Sequence, residues 1–312
     1  MKQLVIVERF CLIAHILSMV FGLAGLLVVL PHPELILNLP PVGQQAFQWS
    51  MAGGGVVYIL FGATAMVLYS YRTLGLRHLF WFLLPALGIS LTSELIGTST
   101  GFPFGDYHYL DGLGYKIAGL VPFTIPLSWF YLGLAAYLLA RVGLRVTPGT
   151  PWFRHIAAIF LGAMLLTAWD FVLDPAMSQT PFPFWEFQEL GAFFGMPYRN
   201  LLGWLGTGAL FMSVAALGWR QIQISVPRPQ LFTPLIIYLV NFSFGATITI
   251  TLLDPRFWLP TALSVLFGVV PAILLWRFTP VIPTPSSVTP PVLTSDAVTL
   301  PSVEIASGSG PQ

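Results

Sequence analysis

Charged residues are scarce in this sequence. Of its 312 residues, 8% are Asp, Glu, Lys or Arg, whereas a soluble domain carries roughly 25%. The chain is 56% hydrophobic and has a mean hydropathy of +0.80, which predicts an integral membrane protein. The net charge of +1 and the lack of a basic cluster give no indication of nucleic-acid binding.

Cysteine is nearly absent as well, because Cys11 is the only one in the sequence. A single thiol excludes an internal disulfide framework and a cysteine-based metal site. Cys11 lies in an apolar run and is interpreted as a packing residue. The five histidines are scattered without a helical pair, so they predict no metal site.

Long apolar runs, in contrast, are abundant. With about 20 residues as the length that crosses a bilayer, the sequence predicts an all-α bundle of eight transmembrane helices, with seven as the alternative. They are expected at about 4–30, 44–70, 78–97, 117–140, 154–174, 198–219, 231–253 and 257–277. Residues 1–278 form the predicted transmembrane domain, and the Pro-, Ser- and Thr-rich residues 279–312 form a tail that is expected to be disordered.

The charges that remain are distributed unevenly along this topology. Ten of the 13 basic residues fall on one side of the predicted membrane, and nine of the 12 acids fall on the other side or at the helix ends there. Basic loops face the cytoplasm. The sequence therefore predicts cytoplasmic termini and a polar site on the non-cytoplasmic side.

The most informative pair is Asp170 and Asp174, at the end of an apolar run. On a helix this spacing puts both carboxyls on one face, and Pro175 predicts that the helix ends here. One interpretation is a pair of helix-end carboxylates facing water, although two acids there oppose the helix dipole and each other. The other is a buried pair in which one carboxyl stays protonated beside an ionised partner, as a general acid requires.

A second polar segment begins with Glu94 at the end of a predicted helix. An irregular stretch with glycines and a proline follows and leads to Asp106, Tyr107 and Tyr109. Irregular backbone at membrane depth is tolerated only where protein or a cavity satisfies it. The segment is either a tight loop with an interfacial aromatic belt or one wall of a site.

A third segment opens the sixth predicted helix with Arg199 and Asn200, followed by Trp204. Arg199 can compensate one of the nearby carboxylates with bidentate geometry. Asn200 is either an ordinary N-cap or an amide that serves the site. In the seventh span, Asn241 predicts an interhelical hydrogen bond.

Taken together, the three segments resemble one family. The pattern reads Glu94-x-x-Gly97-x-x-x-Gly101-x-Pro103-Phe104-Gly105-x-Tyr107-x-Tyr109, then Asp170-x-x-x-Asp174-Pro175, then Arg199-Asn200-x-x-Gly203-Trp204. It resembles the membrane-bound carotenoid hydratases of the CruF type. These act on the acyclic end of monocyclic carotenes in cyanobacteria and on bacterioruberin precursors in related prokaryotes. The resemblance covers about residues 10–278 and rests on the order of the three segments at helix ends.

The resemblance implies a hydro-lyase that adds water to the terminal double bond of an acyclic carotenoid end, as in γ-carotene, on the route to myxol-type hydroxycarotenoids. Protonation of the less substituted carbon would give a tertiary carbocation, which water then captures. The implied partners are a membrane-embedded carotenoid, water and the bilayer of a plasma or thylakoid membrane, and other carotenoid-pathway enzymes are compatible with it. No cofactor, metal or nucleic acid is implied.

The candidate catalytic residues are Glu94, Asp170 and Asp174. Either aspartate donates the proton while Glu94 orients or deprotonates the water, or the roles are reversed. Aromatic faces should stabilise the cation, and the candidates are Phe102, Phe104, Tyr107, Tyr109, Trp185 and Trp204. The candidate substrate-binding residues are Asp106, Tyr107, Tyr109, Arg199, Asn200 and Trp204.

Two other functions are compatible with acids at a membrane helix end. A membrane prenyltransferase that acts on a lipid diphosphate would need magnesium held by carboxylates, but the chain has one Asp-x-x-x-Asp motif and no second Asp-rich helix. A proton-coupled transporter would also use intramembrane acids, but the sequence lacks the paired broken helices of two repeated halves.

Overall fold

The fold is built from long helices and four short strands. The computed structural model describes residues 2–221, 224 and 226–281, so the predicted tail from residue 282 onward lies outside the described residues. The helices are α1 (Lys2–Ala24, continued by a π-helix at Gly25–Val29), α2 (Pro33–Leu37), α3 (Pro41–Leu74), α4 (Leu76–Thr100), α5 (Thr124–Gly143), α6 (Trp152–Ser178), α7 (Tyr198–Trp219) and α8 (Arg228–Leu252). A last span follows in four pieces, namely a 3₁₀ turn (Pro255–Phe257), α9 (Trp258–Ser264), a π-helix (Val265–Val269) and α10 (Val270–Arg277).

Eight helical stretches in the described part of the chain are long and apolar enough to cross a membrane. They correspond one to one to the predicted spans, which confirms an almost entirely α-helical integral membrane protein. The expected side of each end relative to the cytoplasm stays a prediction.

The fourth span begins later than predicted. Residues 117–123 do not continue a helix, because Ala118 and Gly119 have φ values of 53° and 71° and turn the chain into a hairpin. In this hairpin β2 (Lys116–Ile117) pairs antiparallel with β3 (Val121–Pro122). α5 therefore starts only at Thr124.

Helix α5 lies at the centre of the bundle, and helix α1 lies at its periphery. Of the most apolar window of α5, 83% is buried, whereas only 11% of the corresponding window of α1 is buried. A helix that is apolar on every face must be surrounded by protein or by lipid. α5 is therefore the central helix, packed against α3, α4, α6 and α8, and α1 presents most of its surface outward.

A second small sheet connects two loops that are far apart in sequence. β1 (Tyr107–Tyr109) pairs antiparallel with β4 (Trp185–Phe187), with Tyr107 opposite Phe187 and Tyr109 opposite Trp185. Because side chains alternate along a strand, Tyr107 and Tyr109 both point inward while His108 between them is exposed. The sheet thus fixes the segment after α4 against the segment after α6.

Asn241 makes the predicted interhelical hydrogen bonds. Its amide oxygen accepts from the Tyr131 hydroxyl of α5 at 2.8 Å, and its amide nitrogen lies 3.0 Å from His15 Nε2 of α1. The remaining His15 nitrogen lies 2.7 Å from the Tyr58 carbonyl of α3. This fully paired network joins four helices in the middle of the bundle.

Candidate active site

The three polar segments meet at one end of the helix bundle. α4 and α6 end there, and α5 and α7 begin there. We call this the acidic end, defined by Glu94 on α4, Asp170 and Asp174 on α6, and Asn200 on α7. All four side chains are buried, with exposed fractions between 0% and 4%.

Glu94 accepts hydrogen bonds from three neutral donors. The hydroxyls of Tyr107 and Tyr109 both donate to Oε2, the latter at 2.9 Å, and the Trp129 indole N–H donates to Oε1 at 2.9 Å. Hydrogen bonds to a carboxylate favour its ionised form. No lysine or arginine contacts Glu94 within the described ion pairs.

The two tyrosines that serve Glu94 remain protonated donors. Burial, and next the charge of the adjacent Glu94, raise the pKa of Tyr107 and of Tyr109 well above its usual value near 10. Both hydroxyls therefore keep their proton throughout the physiological range and hold the orientation of the Glu94 carboxylate.

Asp170 and Asp174 converge on a single amide group. The Asn200 Nδ2 donates to Asp170 Oδ2 at 3.0 Å and also to Asp174 Oδ2, while the Trp185 indole N–H donates to Asp174 Oδ1 at 2.9 Å. Asp170 Oδ1 is buried without a hydrogen-bond partner in the described part of the chain. The two carboxyls thus share the Asn200 amide as a donor, and one of their four oxygen atoms has no donor at all.

Both simpler interpretations of these residues are wrong. The aspartates do not face water, since their exposed fractions are 0% and 2%. Asn200 is not the N-cap of α7, because the helix begins at Tyr198 and the Asn200 side chain donates to the aspartates instead. The predicted end of the helix at Pro175 is also wrong, because α6 continues to Ser178. Proline lacks the N–H that bonds the carbonyl four residues earlier, and membrane helices tolerate this because neighbouring groups can satisfy the freed carbonyl.

A small cavity lies between Glu94 and the aspartates. Its volume is about 40 Å³, and Glu94, Asp174, Asn200 and Ser128 supply its polar lining. A water needs about 10–15 Å³ of such space. The cavity therefore has room for a few waters but not for a carotenoid chain. Asp170 lies behind Asp174 and is not part of the lining.

Aromatic side chains form the rest of the cavity wall. The Trp129 and Trp204 rings are stacked with centroids 4.1 Å apart and an interplanar angle of 21°, and Trp129 also lies 6.2 Å from the Phe104 ring. Aromatic faces attract cations through their quadrupole. The aromatic lining residues are Phe104, Tyr107, Tyr109, Trp129, Trp185, Phe187 and Trp204.

Two motif glycines allow Phe104 to reach this wall. A Cβ atom on Gly97 of α4 would lie 2.8 Å from Phe104 Cδ2, and one on Gly203 of α7 would lie 2.5 Å from Phe104 Cδ1. Such distances are too short for a carbon–carbon contact. Phe104 is thus held between two helices at positions where only glycine leaves enough room.

Besides Asp170, three more of the predicted side chains lie outside the cavity lining. Arg199 is half-exposed and meets Glu189 at 3.5 Å instead of Asp170 or Asp174, so the expected compensation of a site carboxylate is wrong. At the surface the guanidinium stays hydrated, which avoids the cost of desolvation. Asp106 is partly buried and lies against the Gly101 backbone, away from the lining. Phe102 is 72% exposed.

Sequence reasoning missed Trp129, the indole donor to Glu94. It lies on α5, one turn from Ile125 and next to Ser128, which also line the cavity. Its only signal in the sequence is a tryptophan, which carries an N–H donor, in the middle of a predicted span, and this pattern is equally typical of an ordinary core residue.

Comparison with known proteins gives the family. Residues 54–271, more than half of the chain, match the family described as "Carotenoid biosynthesis protein". The chain is 34% identical over 126 residues to a protein of Haloarcula japonica named bisanhydrobacterioruberin hydratase. That alignment covers 40% of this chain and 41% of the relative, so the chain matches about two fifths of the relative's length. No solved structure matches the chain. The extent of the family match shows that this chain belongs to the carotenoid biosynthesis protein family.

Proposed function

We propose that this protein adds water to the terminal carbon–carbon double bond of an acyclic carotenoid end and forms a tertiary alcohol. One observation carries the proposal. Carboxyls from two helices enclose a water-sized cavity with aromatic walls, and no lysine or arginine occurs in its described lining. The relative from Haloarcula japonica is named for a reaction of this type, and for this chain we propose a γ-carotene-like substrate.

The aspartate pair supplies the proton in this proposal. Asp174 lines the cavity and Asp170 lies behind it, with Asn200 donating to both. Two carboxyls this close in a buried site share one proton more readily than they carry two negative charges. Asp174 is then the carboxylic acid that faces the double bond, and Asp170 is a positioning residue that shares its proton.

Glu94 prepares the water. It has the largest number of hydrogen-bond donors among the three carboxyls, which makes it the one best stabilised as an anion. An anion on the cavity wall accepts a hydrogen bond from water and can take a proton from it. Ser128 is a second polar group at this wall.

The steps balance without a co-reactant. The alkene takes the proton of Asp174 at its less substituted carbon, and the tertiary carbocation develops next to the rings of Trp129, Trp204 and Phe104. The water oxygen forms a bond to the cation while Glu94 receives a water proton. A second water in the cavity can return that proton to the aspartate pair, since Glu94 and Asp174 line the same space.

The same lining does not favour a lipid diphosphate as the substrate. A diphosphate needs cations, either metal ions or basic side chains. The basic residues closest in sequence to the site segments do not line the cavity. Arg199 lies 3.5 Å from Glu189, and Lys116 donates to the Tyr109 carbonyl at 2.8 Å and lies 3.6 Å from the exposed Asp111. A neutral hydrocarbon end needs no such cations, so these surroundings suit it better than a diphosphate.

The proposal is tested by expressing the full chain in a bacterium that accumulates γ-carotene and lycopene. Extracted pigments should include products heavier by one water, and growth in water labelled with heavy oxygen should label the new hydroxyl. Growth in deuterated water should place deuterium on the carbon next to the carbinol. A hydroxyl derived from O₂, or unchanged carotenes in cells that contain the folded protein, would contradict the proposal.

A further inference from the structure

A second, much larger cavity lies beside the acidic end. It has a volume of about 750 Å³ and opens between α1 and the start of α3, and Phe244 of α8 and Phe184 of the loop before β4 complete its lining. We call it the apolar groove. Its polar side chains, among the described residues, are Ser18, Ser50 and Tyr58, and the Ser18 hydroxyl is already bonded to the Ala14 carbonyl in its own helix.

The apolar groove and the acidic cavity share a wall. Phe184 lines the groove, and the next residue, Trp185, lines the acidic cavity and donates to Asp174. A Cβ on Gly112 would lie 2.8 Å from Phe184 Cε1, and a Cβ on Gly55 would lie 2.8 Å from the Gly112 carbonyl. Two consecutive residues thus line the two spaces, and Phe184 is packed tightly against Gly112 and against Gly55 of α3.

The small acidic cavity and the large apolar groove can hold different parts of one substrate. The acidic cavity of about 40 Å³ accepts waters but has no room for a hydrocarbon chain, so the substrate's chain must lie elsewhere. The groove is at the same end of the bundle and is open to the surface of α1, where Leu17 and Phe21 are 60% and 64% exposed. A hydrocarbon dissolved in the bilayer can enter it without crossing water.

We propose that the apolar groove binds the polyene chain of the carotenoid, whose reactive end passes Phe184 to reach Asp174. This inference rests on the proposed function, since the carotenoid is the substrate assumed there. The wall that the groove shares with the acidic cavity at Phe184 and Trp185 favours the substrate chain as the occupant. The acyl chain of a membrane lipid is the alternative that the experiment must separate.

The test introduces large side chains into the groove at glycine positions that have free space around them. A Cβ on Gly25 or Gly53, both lining residues, meets nothing within 4 Å. Gly25→Phe and Gly53→Phe should therefore occupy the groove without displacing the backbone. Gly88→Phe is the matched control, because Gly88 also has open space but lies on the exposed face of α4, outside both cavities.

Two probes give separate measurements on the full chain in nanodiscs. Lycopene binding is followed by the circular dichroism induced in its visible band, which needs no turnover, and hydration is followed for lycopene and for myrcene, a short hydrocarbon with the same end. The groove variants should need about tenfold more lycopene for half-saturation and hydrate it about tenfold more slowly. They should hydrate myrcene within about twofold of the parent. Gly88→Phe should match the parent with both probes.

The outcomes separate the two proposals. If both groove variants bind lycopene as tightly as the parent, the groove does not bind the polyene chain, whatever happens to hydration. An acyl chain is then its occupant. If the parent binds lycopene but hydrates neither probe, the proposed function fails, and a loss of binding in the variants still supports the groove. Unfolding temperatures are compared first, and a variant that is not folded is replaced by the other.

Discussion

The two ends of this bundle bury carboxyl groups in opposite ways. At the end away from the acidic cavity, Glu8 of α1 receives two hydrogen bonds from Arg72 of α3, at 2.6 and 2.9 Å, and both side chains are largely buried. At the acidic end, Glu94, Asp170 and Asp174 are equally buried, but none of the described ion pairs includes them. Their partners are phenols, indoles and an amide.

This difference distinguishes a carboxyl group that stabilises the fold from carboxyl groups that can take part in a reaction. A bidentate arginine neutralises a carboxylate and fixes its position, so the Glu8–Arg72 pair joins α1 to α3. Neutral donors orient a carboxyl but leave its charge or its proton available. Buried acids without a cation, placed around a water-sized cavity, are therefore the ones that can react.

The largest expected effect is that of Asp174→Asn. Asparagine keeps the shape but cannot give up a proton, and general acid catalysis is worth about 10²–10⁴-fold, so hydration should fall about 10³-fold. Product per folded protein is measured in nanodiscs, and deuterium uptake by the carotene should cease as well. Asp111→Asn is the matched control, since Asp111 is a fully exposed aspartate near the same end. Parental turnover by Asp174→Asn would remove the proton donor from the proposal.

A smaller loss, about 10²-fold, is expected for Glu94→Gln. The proton donor remains, so the carbocation still forms, but the capturing water loses its base. In deuterated water this variant should return unhydrated carotene that carries deuterium, from reversal of the first step. If it takes up no deuterium, Glu94 is the proton donor and the roles are reversed. Glu189→Gln, at an exposed acid outside the cavity, should behave as the parent.

The sequence predicted the helices and the buried acids for the same physical reason. A bilayer requires long apolar runs, and a charge inside such a run is costly enough to indicate a special site. The eight spans could therefore be predicted from hydropathy. The meeting of Glu94 with Asp170 and Asp174 could be anticipated because α4 and α6 both end on the same side.

The parts that could not be predicted depend on tertiary contacts. β1 and β4 have three residues each and pair across more than 70 positions of sequence, so no local pattern indicates them. Trp129 looks like any core tryptophan until its N–H is seen to reach Glu94. Arg199 was expected at the aspartates because opposite charges attract, but Asn200 reaches them with less desolvation.

The smallest expected effect on turnover, and a distinct effect on stability, comes from Glu8→Gln. Removing one partner of a buried pair leaves the Arg72 guanidinium incompletely satisfied, which should lower the free energy of unfolding by about 2 kcal/mol. Hydration per folded protein should stay within about twofold of the parent, because Glu8 and the acidic cavity lie at opposite ends of the bundle. Glu34→Gln, at an exposed acid near His32, controls for the change of charge and should unfold at the parental temperature. A Glu8→Gln protein with parental stability and lost turnover would mean that an arginine-paired carboxylate also takes part in the chemistry. The contrast between the two ends would then no longer identify the reactive acids.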